Sequence, residues 1–208
     1  MVLAPGYAPL SFTAPEPGSY ALPAMGSAAD GAVIDSEGNS AKLHDFLGDK
    51  PTVLSFIFTT CDDVNGCPLA TYVMRSVQDA LQADPATADK ARLVSFSFDP
   101  VFDTPNVIDA YGSQFRAGDF DWQFLTTEGA TTLDPILNAY GQWVIRDYDE
   151  NGEYMGTMSH ILRVFLIDES RQIRNIYSTS FLHADTVAND VRSLLMEAAA
   201  DLSADTGS

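Results

Sequence analysis

Basic residues are scarce in this chain. Eleven lysines and arginines stand against 29 aspartates and glutamates, for a formal charge of −18 at pH 7. Such a field repels a phosphate backbone, which argues against nucleic acid as a partner. It attracts cations and basic protein surfaces, and it is also what adaptation to high salt produces. Long apolar runs are missing as well: no stretch of about 18 consecutive apolar residues occurs, so no transmembrane segment is expected in this chain. The opening Met1-Val2-Leu3-Ala4-Pro5 has neither a basic n-region nor an apolar h-region, so no secretory signal is read in this numbering. Cysteine is nearly absent. Cys61 and Cys67 are the only two, which excludes a disulfide-stapled scaffold and points to metal or redox chemistry.

What is present is material for a core. The 208 residues, 46% of them hydrophobic, suit one domain with peripheral additions. Residues 1–30 carry Pro5, Pro9, Pro15, Pro17 and Pro23 and cannot form a regular helix or a central strand. Their Tyr7, Leu10, Phe12, Tyr20 and Leu22 suggest an extended arm lying on the domain, because disordered linkers are poorer in aromatics. The domain itself is expected over 31–200, with a frayed tail over 201–208.

Within the domain, strands and helices alternate. A strand is expected at 32–35, a helical turn at 43–47 closed by Gly48, and a strand buried on both faces at 52–59. After the cysteine stretch comes a helical stripe of Leu69, Val73, Val77 and Leu81. Residues 92–98 read as a second buried strand. Asp103-Thr104-Pro105 then reads as an N-cap and first-turn proline opening a helix with Val107, Ile108, Tyr111 and Phe115 inward. A short strand at 121–125 precedes a helix expected to start at Asp134-Pro135 and to end at Gly141. Asn151-Gly152, between Trp143-Val144-Ile145 and Tyr154-Met155, predicts an inserted hairpin. Strands at 162–167 and 173–177 form an antiparallel pair, and a helix from Asp185 closes the chain. The expected fold class is therefore α/β, a mixed sheet with helices on both faces and an inserted hairpin before the last strands.

The cysteines fall on a strand-to-helix loop, at the strand ends where ligands of such sheets collect. Two thiols with one imidazole make a soft donor set suited to Cu(I) and usable by zinc. His160, just before a strand, is the favoured third ligand. Surface or capping roles are the expectation for His44 and His183. Asp62 and Asp63 read as a solvated loop face, and Met155 and Met158 as packing residues rather than thioether ligands. A purely structural disulfide between Cys61 and Cys67 would close too short a loop to remove much chain entropy.

Several spaced motifs resemble the Sco/SenC family: Phe56-Ile57-Phe58-Thr59-Thr60-Cys61 through Cys67-Pro68-Leu69, Ser97-Phe98-Asp99-Pro100 with Asp103-Thr104-Pro105, Asp121-Trp122-Gln123-Phe124-Leu125-Thr126, Asn138-Ala139-Tyr140-Gly141, and Ser159-His160 before Phe165-Leu166-Ile167-Asp168. The resemblance runs from about Asp30 to about Met196. It implies a three-layer thioredoxin-like fold and copper ligation by Cys61, Cys67 and His160, with Cu(I) as the first candidate and Cu(II) as the second. It also implies a metallochaperone role toward a cytochrome oxidase subunit or another periplasmic cuproprotein. The implied location is periplasmic or extracytoplasmic, with a membrane anchor outside this chain as one form of it. The chain departs from the family in its cysteine spacing, which is usually three residues; here Asp62, Asp63, Val64, Asn65 and Gly66 make five.

The main alternative is a thiol–disulfide oxidoreductase using Cys61 and Cys67 as catalytic residues that keep partner cysteines reduced. The longer spacing, and Ser159-His160-Ile161 where a proline would be expected, favour metal over exchange. A thiol peroxidase is the third reading, weakened because the Pro-x-x-x-Thr-x-x-Cys series of such enzymes is missing.

Overall fold

The computed structural model describes residues 2–205. Nine strands are present among them: β1 (Ala32–Asp35), β2 (Ser40–Lys42), β3 (Thr52–Ile57), β4 (Arg92–Ser97), β5 (Trp122–Thr126), β6 (Val144–Tyr148), β7 (Tyr154–His160), β8 (Arg163–Ile167) and β9 (Ile173–Ser178). The helices are α1 (Cys67–Gln82), α2 (Pro105–Gly112), α3 (Ala130–Ala139) and α4 (Ala184–Asp205). Seven strands form one sheet in the order β2-β1-β5-β4-β3-β8-β9, and β6 and β7 pair only with each other. In the main sheet β3, β4 and β5 run parallel, while β8 is antiparallel to β3 and β9 to β8. This is a thioredoxin-like α/β fold with the hairpin β6–β7 inserted ahead of the last two strands.

Registry explains the layering. Phe56 of β3 lies opposite Phe96 of β4, and Leu54 opposite Phe165 of β8, so these four share a face. Tyr140, just past α3, packs at a tilt on Phe56 and edge-on to Phe165 there, with ring centroids 5.3 and 5.2 Å away. On the other face Ser95 is opposite Phe124, whose ring meets Tyr111 of α2. The Tyr111 hydroxyl bonds Thr71 of α1 at 2.8 Å, and Tyr177 on that side reaches Asp190 of α4 at 2.6 Å. Three helices thus cover one face and α3 the other. With both faces covered, β3 is buried at all six residues, which is why its sequence is continuous rather than alternating. The expected α1 stripe of Leu69, Val73, Val77 and Leu81 is at most 1% exposed, each side chain contributing about 1.5–3 kcal/mol of burial.

Two local expectations are corrected. Helix α3 starts at Ala130 behind Gly129, not at Asp134, and Pro135 lies inside it. A proline at the sixth position of a ten-residue helix forgoes one backbone bond and crowds the preceding turn, a cost offset by the burial of Leu133, Ile136 and Leu137. Asp103 is not the cap of α2. That position belongs to Thr104, and the Asp103 side chain turns into the protein. Gly141, at φ +60°, ends α3 as its position suggested. Helix α4 is continuous to Asp205, and the remainder of the tail expected over 201–208 lies outside the described residues.

Residues 2–28 run along the domain, extended except for a 3-10 turn at Pro5–Tyr7 and a turn at Pro17-Gly18. Met25 donates to the Ile173 carbonyl and Ile173 to the Gly26 carbonyl, so this stretch covers the open edge of β9. Farther back, Gly18 donates to Ser193 and Tyr20 to Asp190, which tie the chain to α4. No described helix is long and apolar enough to cross a membrane.

Candidate metal centre

Cys61 leaves the C-terminal end of β3, Cys67 is the first residue of α1, and His160 is the last residue of β7. Together they form the one group of three metal-ligating side chains of this kind found among the described residues, with ligand atoms all within 4.8 Å of one another. His160 Nε2 lies 3.5 Å from Cys67 Sγ and 3.9 Å from Cys61 Sγ. A three-coordinate ion with metal–sulfur and metal–nitrogen bonds of about 2.3 and 2.0 Å at trigonal angles sets sulfur and nitrogen about 3.7 Å apart. The two observed separations straddle that value, so the cluster has the size of a single trigonal site.

Each donor is held by its surroundings. Helix α1 draws Cys67 inward until it is 1% exposed, and its sulfur accepts the Phe58 backbone N–H at 3.4 Å. His160 is paired with Val144 across the hairpin and flanked by the rings of Phe58 and Phe98, centroids 5.9 and 5.1 Å away. These rings set the imidazole plane and leave Nε2 aimed at the sulfurs. Cys61 is half-buried. Its pKa is drawn down to about 5, first by the hydrogen bond from Cys67 and then by that from His160, against a desolvation that opposes both. Burial drives Cys67 well upward, and the neighbouring Cys61 adds to this. The reduced pair therefore presents one half-buried thiolate beside one buried thiol, and both cysteines are free.

Asp103, 0% exposed, supports this loop from below. It accepts the Thr59 backbone N–H at 3.0 Å, the Thr59 hydroxyl, and the Ser97 hydroxyl at 2.5 Å. The Cys61 N–H in turn closes onto the Phe58 carbonyl at 3.3 Å. Sequence reading missed this role; the only trace of it was Ser97, a second serine after Ser95 in a strand buried from Leu93 onward. The remaining histidines are accounted for locally. His183 Nε2 lies 2.7 Å from the Ala8 carbonyl, and its Nδ1 accepts the Asp185 N–H at the start of α4. His44 lies 2.9 Å from the Ala28 carbonyl. Met158 is buried under the hairpin and Met155 is exposed.

Fold and site together define a class: a thioredoxin-like protein whose strand-end loop gathers two thiols and an imidazole into a soft metal-ligand cluster. Comparison with known proteins gives that class a family. The SCO1/SenC family model matches residues 28–196, and the chain belongs to that family. A SCO1 homologue of Bacillus subtilis is 29% identical over 92 residues, 44% of this chain; the match spans less than half, 45%, of that relative. Among solved structures, copper-bound ScoI of Arabidopsis thaliana superposes with a TM-score of 0.69 at 20% identity, over 84% of this chain and 99% of that one. Apo Sco1 of Thermus thermophilus gives 0.66 at 26% identity, over 85% and 95%.

Proposed function

We propose that this chain carries copper, taking Cu(I) between Cys61, Cys67 and His160 and passing it to a cuproprotein outside the cytoplasm, a cytochrome oxidase subunit first among them. The convergence of two sulfurs and one imidazole nitrogen at trigonal spacing carries the reading. Soft thiolates select Cu(I) over hard cations, and three donors leave an incoming protein ligand room to take the ion. Copper is the cargo here. The chain's own part is to supply Cys61 as a thiolate, to release the Cys67 proton as the ion enters, and to hold the imidazole in place. Family context agrees: ScoI of Bradyrhizobium japonicum and yeast Sco1 are known with copper bound. A Bacillus anthracis member is a lipoprotein, and BsSco belongs to the cytochrome c oxidase assembly proteins.

Anaerobic Cu(I) titration of the reduced chain tests this, beside Cys61→Ser, Cys67→Ser and His160→Ala. Parent binding no tighter than that of the double cysteine variant sinks the proposal. Normal binding by His160→Ala alone removes the histidine from the ligand set and leaves the cysteines. A second reading, thiol–disulfide exchange, draws on the half-buried Cys61 thiolate beside the Cys67 thiol and on the disulfide switch of BsSco. Insulin reduction by the copper-free chain, abolished in Cys61→Ser, would favour it over metal transfer.

A further inference from the structure

The five residues between the cysteines are held from outside by the chain's first residues. Within the loop, Asp63 makes a turn, accepting the Asn65 N–H through its carboxylate at 3.0 Å and the Gly66 N–H through its carbonyl at 2.8 Å. Val64 and Asn65 form the apex, and both are gripped by the arm. Asn65 Oδ1 accepts the Ala4 N–H at 2.7 Å, and Asn65 Nδ2 donates to the Val2 carbonyl at 3.0 Å. The Tyr7 hydroxyl donates to the Val64 carbonyl at 2.5 Å. At its far end Gly66 accepts the Ala70 N–H of α1 at 3.1 Å, while the apex itself is held by these three bonds to a segment some 60 positions away.

The clamp has its own footing. Gly6 is buried so closely that a Cβ there would sit 2.2 Å from the Leu182 carbonyl oxygen and 3.1 Å from Leu69. The Tyr7 ring packs on Tyr72 of α1 at 4.9 Å, and the Ala8 carbonyl is held by His183 at the start of α4. The arm is thus docked on α1 and α4 independently of the loop it grips. From this geometry we propose that Asn65, with Tyr7, is a positioning residue. Residues 2–7 latch the loop apex and fix how far apart the two sulfurs stand, and so set copper affinity and the dithiol–disulfide balance together.

The proposal rests on the copper reading for one of its consequences and is independent of it for the other. Cys61 and Cys67 are unbonded, and closing a disulfide brings sulfurs to about 2.05 Å, which requires the loop to shift. A latched apex opposes that shift, so the latch favours the dithiol and the ion-sized gap. The exchange measured is the oxidation of the two thiols by glutathione disulfide, forming one intramolecular disulfide and two glutathione thiols.

The test compares the full chain with Asn65→Ala, Tyr7→Phe and Asn189→Ala. The last removes an arm bond to the Pro15 carbonyl without touching the loop. Losing the two Asn65 bonds should weaken Cu(I) binding, read by competition with a chromophoric chelator, by about tenfold, and losing the Tyr7 bond by about threefold. The glutathione equilibrium should move toward the disulfide by similar factors, the Cu(II) absorption of the Asn65→Ala chain should shift, and Asn189→Ala should match the parent in all three. Parent-like copper affinity and glutathione equilibrium in Asn65→Ala and Tyr7→Phe overturn the latch. Equal effects in Asn189→Ala also overturn it, because the loop would then be responding to general loosening of the arm. If the parent itself fails to bind Cu(I), the copper reading falls, and the glutathione equilibrium alone decides the latch.

Discussion

Replacing Asp103 with alanine should both destabilise the fold and loosen the cysteine loop. The carboxylate is fully buried and accepts from three donors: the Thr59 N–H, the Thr59 hydroxyl and the Ser97 hydroxyl. The hydroxyls can turn toward other acceptors, but the backbone N–H cannot follow them. An unsatisfied buried donor costs about 1–3 kcal/mol, and bonds to a charged acceptor lie at the upper end, so a loss of about 2–4 kcal/mol follows for Asp103→Ala. Asp103→Asn keeps one acceptor and should cost about half as much.

Burial, the largest influence on this carboxyl, raises its pKa above 3.8 although the hydrogen bonds oppose the rise. A raised carboxyl pKa means that the folded chain binds the proton more tightly than the unfolded one. The stabilising contribution of protonated Asp103 is therefore complete below the unfolded value and is lost as pH rises through the folded one. Asp103→Asn does not titrate, so the stability advantage of the parent over it should shrink across that window and stay level above. Urea unfolding from pH 3.5 to 7.5, followed by intrinsic fluorescence, measures both quantities. A ΔΔG for Asp103→Ala within about 0.5 kcal/mol of zero would refute the reasoning, as would an advantage that grows with pH.

Two further outcomes follow from the same geometry. In the reduced, metal-free chain, iodoacetamide should alkylate Cys61 with a rate half-maximal near pH 5 while Cys67 stays protected; mass spectrometry assigns the sites, and Cys67→Ala should move the midpoint upward by removing the leading hydrogen bond to the thiolate. Asp190, 3% exposed, accepts from Tyr20, Tyr177 and Asn175, so Asp190→Ala should cost about 2–4 kcal/mol in chemical denaturation and speed amide exchange around residue 20; unchanged exchange there would separate the arm from this cluster.

Much of this protein is written in local pattern. A six-residue strand buried on both faces and apolar but for Thr52 and Ser55, a helical stripe at Leu69, Val73, Val77 and Leu81, and an Asn-Gly turn each report the side of one element, because strand and helix periods expose burial directly in sequence. From these the α/β order was legible, and the strand-to-helix position of Cys61 and Cys67 with it. Strand order and the resemblance together singled out His160 among the three histidines.

Tertiary structure decided the rest. That Nε2 of His160 lies 3.5 Å from a sulfur 93 positions away depends on the inserted hairpin folding back on the end of β3, and no local period records such a return. Asp103 reads as a helix cap in sequence because Asp-Thr-Pro is good capping chemistry; three buried donors outcompeted that role. The grip of residues 2–7 on Val64 and Asn65, some 60 positions apart, consists of single hydrogen bonds between two irregular segments. Sequence patterns carry burial, which is periodic along an element. They do not carry the pairing of one polar atom with another across the chain, and that pairing sets the distance between these two thiols.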